Sequence, residues 1–276
     1  MQTVFSFIMG LVQGLSEFLP ISSSGHLLVA EKLLAQVGYS VSSSQGLMIM
    51  LHMGSLLAVL VVFWKDWVQM LAHPIRNKTL LLLFLASIPA LFVMLLLGDF
   101  VDSTFTGWFL GPAFLITALF LTIAEKLSED KSKKRSGEIT TSRALTMGAF
   151  QAVALLPGVS RSGSTLLGGI FSGLTRGMAA KFSFMMSAPA ILGSFLMEAM
   201  DAIETDGLST LISFDILMGV LAAAVSGYLA IRFMLKLIEK ISLYKFAVYL
   251  VAVGIIVIVF QLTGFADFPP MAFPGA

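Results

Sequence analysis

Charge is scarce in this chain: Asp, Glu, Lys and Arg make up 12% of its 276 residues, about half the share of a typical soluble domain. Hydrophobic residues reach 57% and the mean hydropathy is +0.94, so a water-soluble globule is excluded and the chain belongs in lipid. Cysteine is absent. That absence suits a protein facing an oxidising exterior without requiring one. Residues 1–10 hold no Lys or Arg, and no small-residue cleavage site follows, so no cleaved signal peptide is expected. Histidine is nearly missing too. His52, within an apolar run, and His73, beside Pro74, have no ligand spacing to another His or carboxylate. They read as packing or outer-contact residues, not as a metal site.

What the chain has instead is apolar length. Runs recur at 45–64, 80–97, 108–126, 181–200, 213–236 and 246–263, each close to the ~20 residues that cross a bilayer core. Placement of Lys and Arg sets their orientation. The connection after Ala124 holds Lys126, Lys131, Lys133, Lys134, Arg135 and Arg143, whereas Asp99 and Asp102, then Asp201, Glu204 and Asp206, mark acidic connections. The basic connection is expected in the cytoplasm, as topology signal and flexible linker, with no nucleic-acid partner. Alternating outward leaves both termini outside.

A repeat is written into the polar interruptions. At an offset of 138 residues, IMGLVQGLSEFLPISSSGHLL aligns with TMGAFQAVALLPGVSRSGSTLL, pairing Met9 with Met147, Gln13 with Gln151, Ser22 with Ser160 and Gly25 with Gly163. Each half reads as one interrupted segment followed by three spans. Three is odd, so the second segment approaches from the opposite face. The expected fold is an all-α polytopic membrane protein with an inverted-topology repeat, six transmembrane helices plus two re-entrant helical hairpins. As one membrane domain it divides into repeat 1 at 1–126 (hairpin 3–35), a cytoplasmic linker at 127–142, and repeat 2 at 143–276 (hairpin 143–174). The two hairpin tips are expected to meet near the midplane.

The tips carry the chemistry. Gln13 and Glu17 share a helical face just before Pro20 ends it. Ser22, Ser23, Ser24, Gly25 and His26 then form a turn leading into a helix, whose free N–H groups make an anion site. In the second hairpin Arg161 lies between Ser160 and Ser162, with Gly163 and Thr165 following. An arginine at membrane depth needs a partner, and its planar fork suits phosphate. Close helix packing accounts for either Ser/Gly segment alone, but less well for two that jointly hold Glu, His and Arg.

These residues resemble a known family. QGLSEFLPISSSGH is similar to the (E/Q)xxxE element and Ser/His turn of the bacterial undecaprenyl pyrophosphate phosphatases, and PGVSRSGST to their PGxSRSxxT motif. The resemblance spans the chain. It implies hydrolysis of a C55 isoprenyl diphosphate to undecaprenyl phosphate in the bacterial cell membrane, recycling the carrier for peptidoglycan and conferring bacitracin resistance. It also implies an active site toward the outer face and a divalent cation, Mg²⁺ or Ca²⁺. By the same resemblance Glu17, Ser23, His26 and Arg161 are catalytic. Gln13, Ser22, Ser24, Gly25, Ser160, Ser162, Gly163 and Thr165 are expected to serve binding, and Glu17 with Gln13 to hold the metal. Gln13 is a departure, since an amide is no base and offers a metal only a neutral oxygen. Ser23 is the expected nucleophile, with its proton going to His26 or Glu17; attack by His26 or by water stays open. Secondary transporters share inverted repeats and broken helices, so a carrier of polyprenyl phosphate is the competing reading. A homodimer is left open.

Overall fold

The computed structural model describes residues 1–39, 45–74, 76–130, 134–206 and 212–271. Among them the chain is all helical, with eleven α-helices and no strand beyond one isolated bridge between Ser136 and Leu174. The first half contains α1 (Gln2–Phe18), α2 (Ser23–Gln36), α3 (Gln45–Val62), α4 (Trp64–Ala72), α5 (Thr79–Thr104) and α6 (Leu110–Glu129). The second contains α7 (Thr141–Val153), α8 (Arg161–Phe171), α9 (Arg176–Asp206), α10 (Phe214–Leu237) and α11 (Tyr244–Thr263).

Five helices, α5, α6, α9, α10 and α11, are long and apolar enough to cross a bilayer. The pair α3 and α4, bent by 76° around Phe63, is long and apolar enough only when the two are taken together. The expected run 45–64 therefore breaks at its end, where the apolar sequence gives way to the amphipathic WKDW of α4. This is a polytopic membrane protein. The most apolar stretches of α5 and α11 are only 22% and 28% buried, against 50% or more in α6, α9 and α10, so α5 and α11 face the lipid.

Helix packing repeats with the sequence. α1 packs on α10 and α7 on α5, while α3 meets α9 and α6 meets α11. Exchanging the halves swaps the first two contacts and returns the last two to themselves, as a two-fold axis between the halves requires. Glycine makes the equivalent contacts close. A β-carbon at Gly10 would collide with the carbonyl oxygen of Gly219 on α10, and one at Gly148, 138 residues on, with that of Ala86 on α5. The core joins Phe18 and Leu166 of the two hairpins to Phe114 of α6 and Phe184 of α9.

The connection expected to be flexible is pinned where it is described. Arg135 donates to the carbonyls of Leu127, Ile170 (2.9 Å) and Leu174 (3.3 Å), and Arg143 to those of Ser172 (3.3 Å) and Glu138 (2.7 Å). The last carbonyls of α6 and α8 have no partner within their own helices, and a guanidinium satisfies several at once. Lys131, Lys133 and the side chains of Asp201, Glu204 and Asp206 lie outside the described residues.

Candidate active site

Each hairpin turns and caps its second helix in the same way. α1 ends at Phe18, Leu19 is extended (φ −72°, ψ 143°) before Pro20, and Ser22 caps α2 by accepting from the Gly25 N–H at 3.3 Å. In the second hairpin Ser160 caps α8 by accepting from the Gly163 N–H at 3.1 Å. Ser22 contacts Ser24 at 3.4 Å, and Ser160 contacts Ser162 at 3.2 Å. Ser22 and Ser160 are one repeat apart. The turns differ in one respect: the second takes its left-handed step at Gly158 (φ +91°), whereas the first leaves Ser22 at φ +73°. Holding a serine there costs on the order of 1–3 kcal/mol, strain of the kind that gathers at working sites.

The tips meet on Glu17. Ser23 and Arg161 occupy equivalent positions, the first residue of α2 and of α8, and both donate to this carboxylate. Ser23 Oγ donates to Oε2 at 2.5 Å, and Arg161 Nη2 donates to Oε1 at 2.5 Å. One turn before, Gln13 Nε2 donates to Oε2 at 3.1 Å and to Ser55 Oγ of α3 at 3.2 Å. Glu17 is 6% exposed, a depth at which an unpaired carboxylate would be costly. A further bond ties the tips, from Ser162 Oγ to the Leu19 carbonyl at 3.0 Å. Gly25 is what lets them close: a β-carbon there would meet the Phe114 ring at 2.7 Å and Gly158 Cα at 3.0 Å.

Neighbouring helices hold this arrangement. Thr117 Oγ1 of α6 donates to the Gly158 carbonyl at 3.0 Å and accepts from the Ser160 N–H at 2.9 Å. Thr165 Oγ1 donates to the Arg161 carbonyl at 2.8 Å and lies 2.6 Å from Ser183 Oγ of α9. Three buried polar atoms here have no hydrogen-bond partner among the described residues: Arg161 Nη1, Gln13 Oε1 and Ser164 Oγ. Free donor capacity on Arg161 beside two helix N-termini is what an oxyanion would use.

His26 stands apart from the Ser23 hydroxyl. Its Nδ1 donates to the Ser22 carbonyl at 2.7 Å, and its Nε2 lies 2.7 Å from the Tyr249 hydroxyl of α11. Three residues along a helix start allowed a Ser23–His26 bond, but the Ser22 carbonyl holds the ring in another orientation. The hydrogen-bond acceptor in place for Ser23 is Glu17. His52 sits one turn before Ser55 on α3, with Nδ1 donating to the Met48 carbonyl at 2.8 Å. Thr117, Ser183 and Tyr249 were not picked out in the sequence. For Tyr249 the available signal was a phenol set among the aliphatic neighbours Val248, Leu250 and Val251.

For a cation the site offers the Glu17 carboxylate and the unpartnered Gln13 Oε1. Among the described residues no three of His, Cys, Asp or Glu come together as a ligand set. Such a set suits a metal that takes most of its ligands from phosphate and water, as Mg²⁺ does.

Fold and site together define a polytopic membrane protein in which the N-terminal residues of two hairpin helices, Ser23 and Arg161, converge on one buried carboxylate. The family model for "Bacitracin resistance protein BacA" matches residues 6–256, and the chain belongs to this family. It is 38% identical over 261 residues to "Undecaprenyl-diphosphatase 4" of Bacillus thuringiensis subsp. konkukian, covering 94% of this chain and 97% of that protein. It is also 38% identical to the "Undecaprenyl-diphosphatase" of Halothermothrix orenii, covering 91% and 95%, and to that of Methanobrevibacter smithii, covering 95% and 99%.

Proposed function

We propose that this chain hydrolyses undecaprenyl diphosphate to undecaprenyl phosphate and inorganic phosphate, returning the lipid carrier to cell-wall glycan synthesis and so conferring bacitracin resistance. The observation that carries the reading is the Glu17 carboxylate, shared by Ser23 of one hairpin and Arg161 of the other. Phosphoryl transfer needs charge neutralisation, an aligned nucleophile and a proton acceptor, and these residues can supply all three.

Arg161 and the N–H groups at the starts of α2 and α8 hold the diphosphate, with Ser160, Ser162 and Thr165 in support. Ser23 is the nucleophile, since its proton already has an acceptor 2.5 Å away in Glu17. Its Oγ forms a bond to the terminal phosphorus as the bridging P–O bond breaks, and undecaprenyl phosphate leaves into the lipid. Glu17 passes the Ser23 proton to the departing phosphate and, ionised again, deprotonates a water that attacks phosphorus. The Oγ–P bond breaks, Ser23 Oγ takes the proton back and inorganic phosphate is released. Glu17 and Gln13 Oε1 would hold a divalent cation, which supplies charge neutralisation on the phosphates. Both hairpins come from one chain, so the scheme needs no second copy.

The site is read as opening to the outer face of the bacterial cell membrane, with both termini outside. Support comes from Lys65, Arg76, Lys78, Lys236, Lys240 and Lys245, which all fall on the side assigned to the cytoplasm. The test is phosphate release from farnesyl or undecaprenyl diphosphate by the detergent-purified protein. Flux of polyprenyl phosphate in proteoliposomes without any release would instead favour a carrier.

A further inference from the structure

His26 is anchored at three points. Its Nδ1 must carry a proton, because the Ser22 carbonyl 2.7 Å away can only accept. That leaves Nε2 as the ring's remaining polar atom, and it lies 2.7 Å from the Tyr249 hydroxyl. The two rings also stack, with centroids 5.7 Å apart and planes within 13°, while Phe114 meets the imidazole edge-on at 5.2 Å. No freedom of rotation is left to the imidazole.

Tyr249 belongs to α11, in the half of the chain opposite to His26, and is 44% exposed on a helix that faces lipid. Its neighbours Val248, Leu250 and Val251 are aliphatic, and packing alone asks nothing of a hydroxyl there. A phenol in lipid needs a partner, and here that partner is the histidine at the N-terminal turn of α2. The phenol oxygen both donates and accepts, so it can hold the ring whether or not Nε2 bears a proton.

We propose that Tyr249 is a positioning residue for the reaction: through its hydrogen bond and ring stack it fixes the orientation of His26, whose Nδ1 proton the Ser22 carbonyl holds, beside the phosphate-binding N-terminus of α2. This rests on the phosphatase reading of the site. It gives the second half a role in the first hairpin's chemistry, in addition to the grip of Arg161.

The test compares wild type with Tyr249→Phe, His26→Ala and the double variant, using farnesyl diphosphate as substrate. Phenylalanine keeps the ring stack and removes only the hydroxyl. Tyr249→Phe is expected to lower kcat about five- to tenfold, the scale of one hydrogen bond, with KM within about twofold. In the His26→Ala background the same change is expected to cost less than about twofold, because Tyr249 acts through His26. Wild-type kcat in Tyr249→Phe, or an equal loss in both backgrounds, overturns the proposal. Should His26→Ala be too slow to measure, nitrogen NMR of histidine-labelled protein decides. The Nε2 resonance of His26 is expected to shift in Tyr249→Phe, and an unchanged resonance overturns the pairing. If wild type releases no phosphate the parent reading fails, and the NMR comparison still tests the anchor.

Discussion

Replacing Glu17 by Gln keeps the shape of the side chain and removes its charge. Ser23 then has an amide instead of a carboxylate at 2.5 Å, and Arg161, whose side chain is 17% exposed, loses its anion. Loss of a general base lowers turnover by about 10²–10⁴, or about 3–5 kcal/mol of barrier. Removing one partner from a buried ion pair costs about 3–5 kcal/mol; the residual exposure of Arg161 reduces this to about 1–3 kcal/mol. Phosphate offers Arg161 a replacement anion, and a ligand at a hundred times its dissociation constant returns about 2.7 kcal/mol. Glu17→Gln is therefore expected to lower kcat at least a hundredfold without raising KM. Its melting temperature in detergent should fall, and added pyrophosphate should restore most of the loss. Steady-state kinetics and thermal unfolding with and without pyrophosphate check both parts. A kcat within tenfold of wild type, or a melting temperature that pyrophosphate does not restore, refutes the reasoning.

Arg161→Lys keeps the charge but loses the fork, and kcat/KM should drop by at least about tenfold while the protein still purifies as a folded species. Gly14→Ala would drive a β-carbon into Ser226 Oγ and the Ala223 carbonyl of α10, so thermal unfolding should report a loss of about 1–3 kcal/mol. Ser183→Ala removes the 2.6 Å contact to Thr165 and should cost about 1 kcal/mol of stability, with a smaller effect on turnover than Arg161→Lys. Gln13→Glu places a second carboxylate beside Glu17, so activity titrated against free Mg²⁺ should show a steeper cation requirement than wild type.

The hairpins, the spans and the joining of the two tips were legible because each rests on a local signal. Glu17, Arg161 and the Ser/Gly turns are expensive at membrane depth unless they face one another, and the 138-residue repeat relates the two turns in the sequence itself. Tyr249 and Thr117 were not legible, since each acts across a long stretch of chain on a group whose orientation is fixed only in three dimensions. His26 shows the limit best. Its spacing from Ser23 allows a hydrogen bond, but the strained Ser22 carbonyl captures Nδ1, and nothing in SSSGH announces a serine at φ +73°. The anchoring of the basic connection was hidden for a related reason. A run of Lys and Arg looks solvated in one dimension, whereas the carbonyls that Arg135 satisfies lie at the ends of α6 and α8 and just beyond α8 at Leu174.

The central claim is that the carboxylate shared by the two hairpins serves hydrolysis rather than transport. Phosphate released by the detergent-purified protein from undecaprenyl diphosphate, measured with and without chelator, tests it most directly. The account predicts steady release by wild type, at least a hundredfold less by Glu17→Gln and none above background by Arg161→Ala. Absence of release by folded wild-type protein, together with movement of polyprenyl phosphate across proteoliposomes, would contradict it.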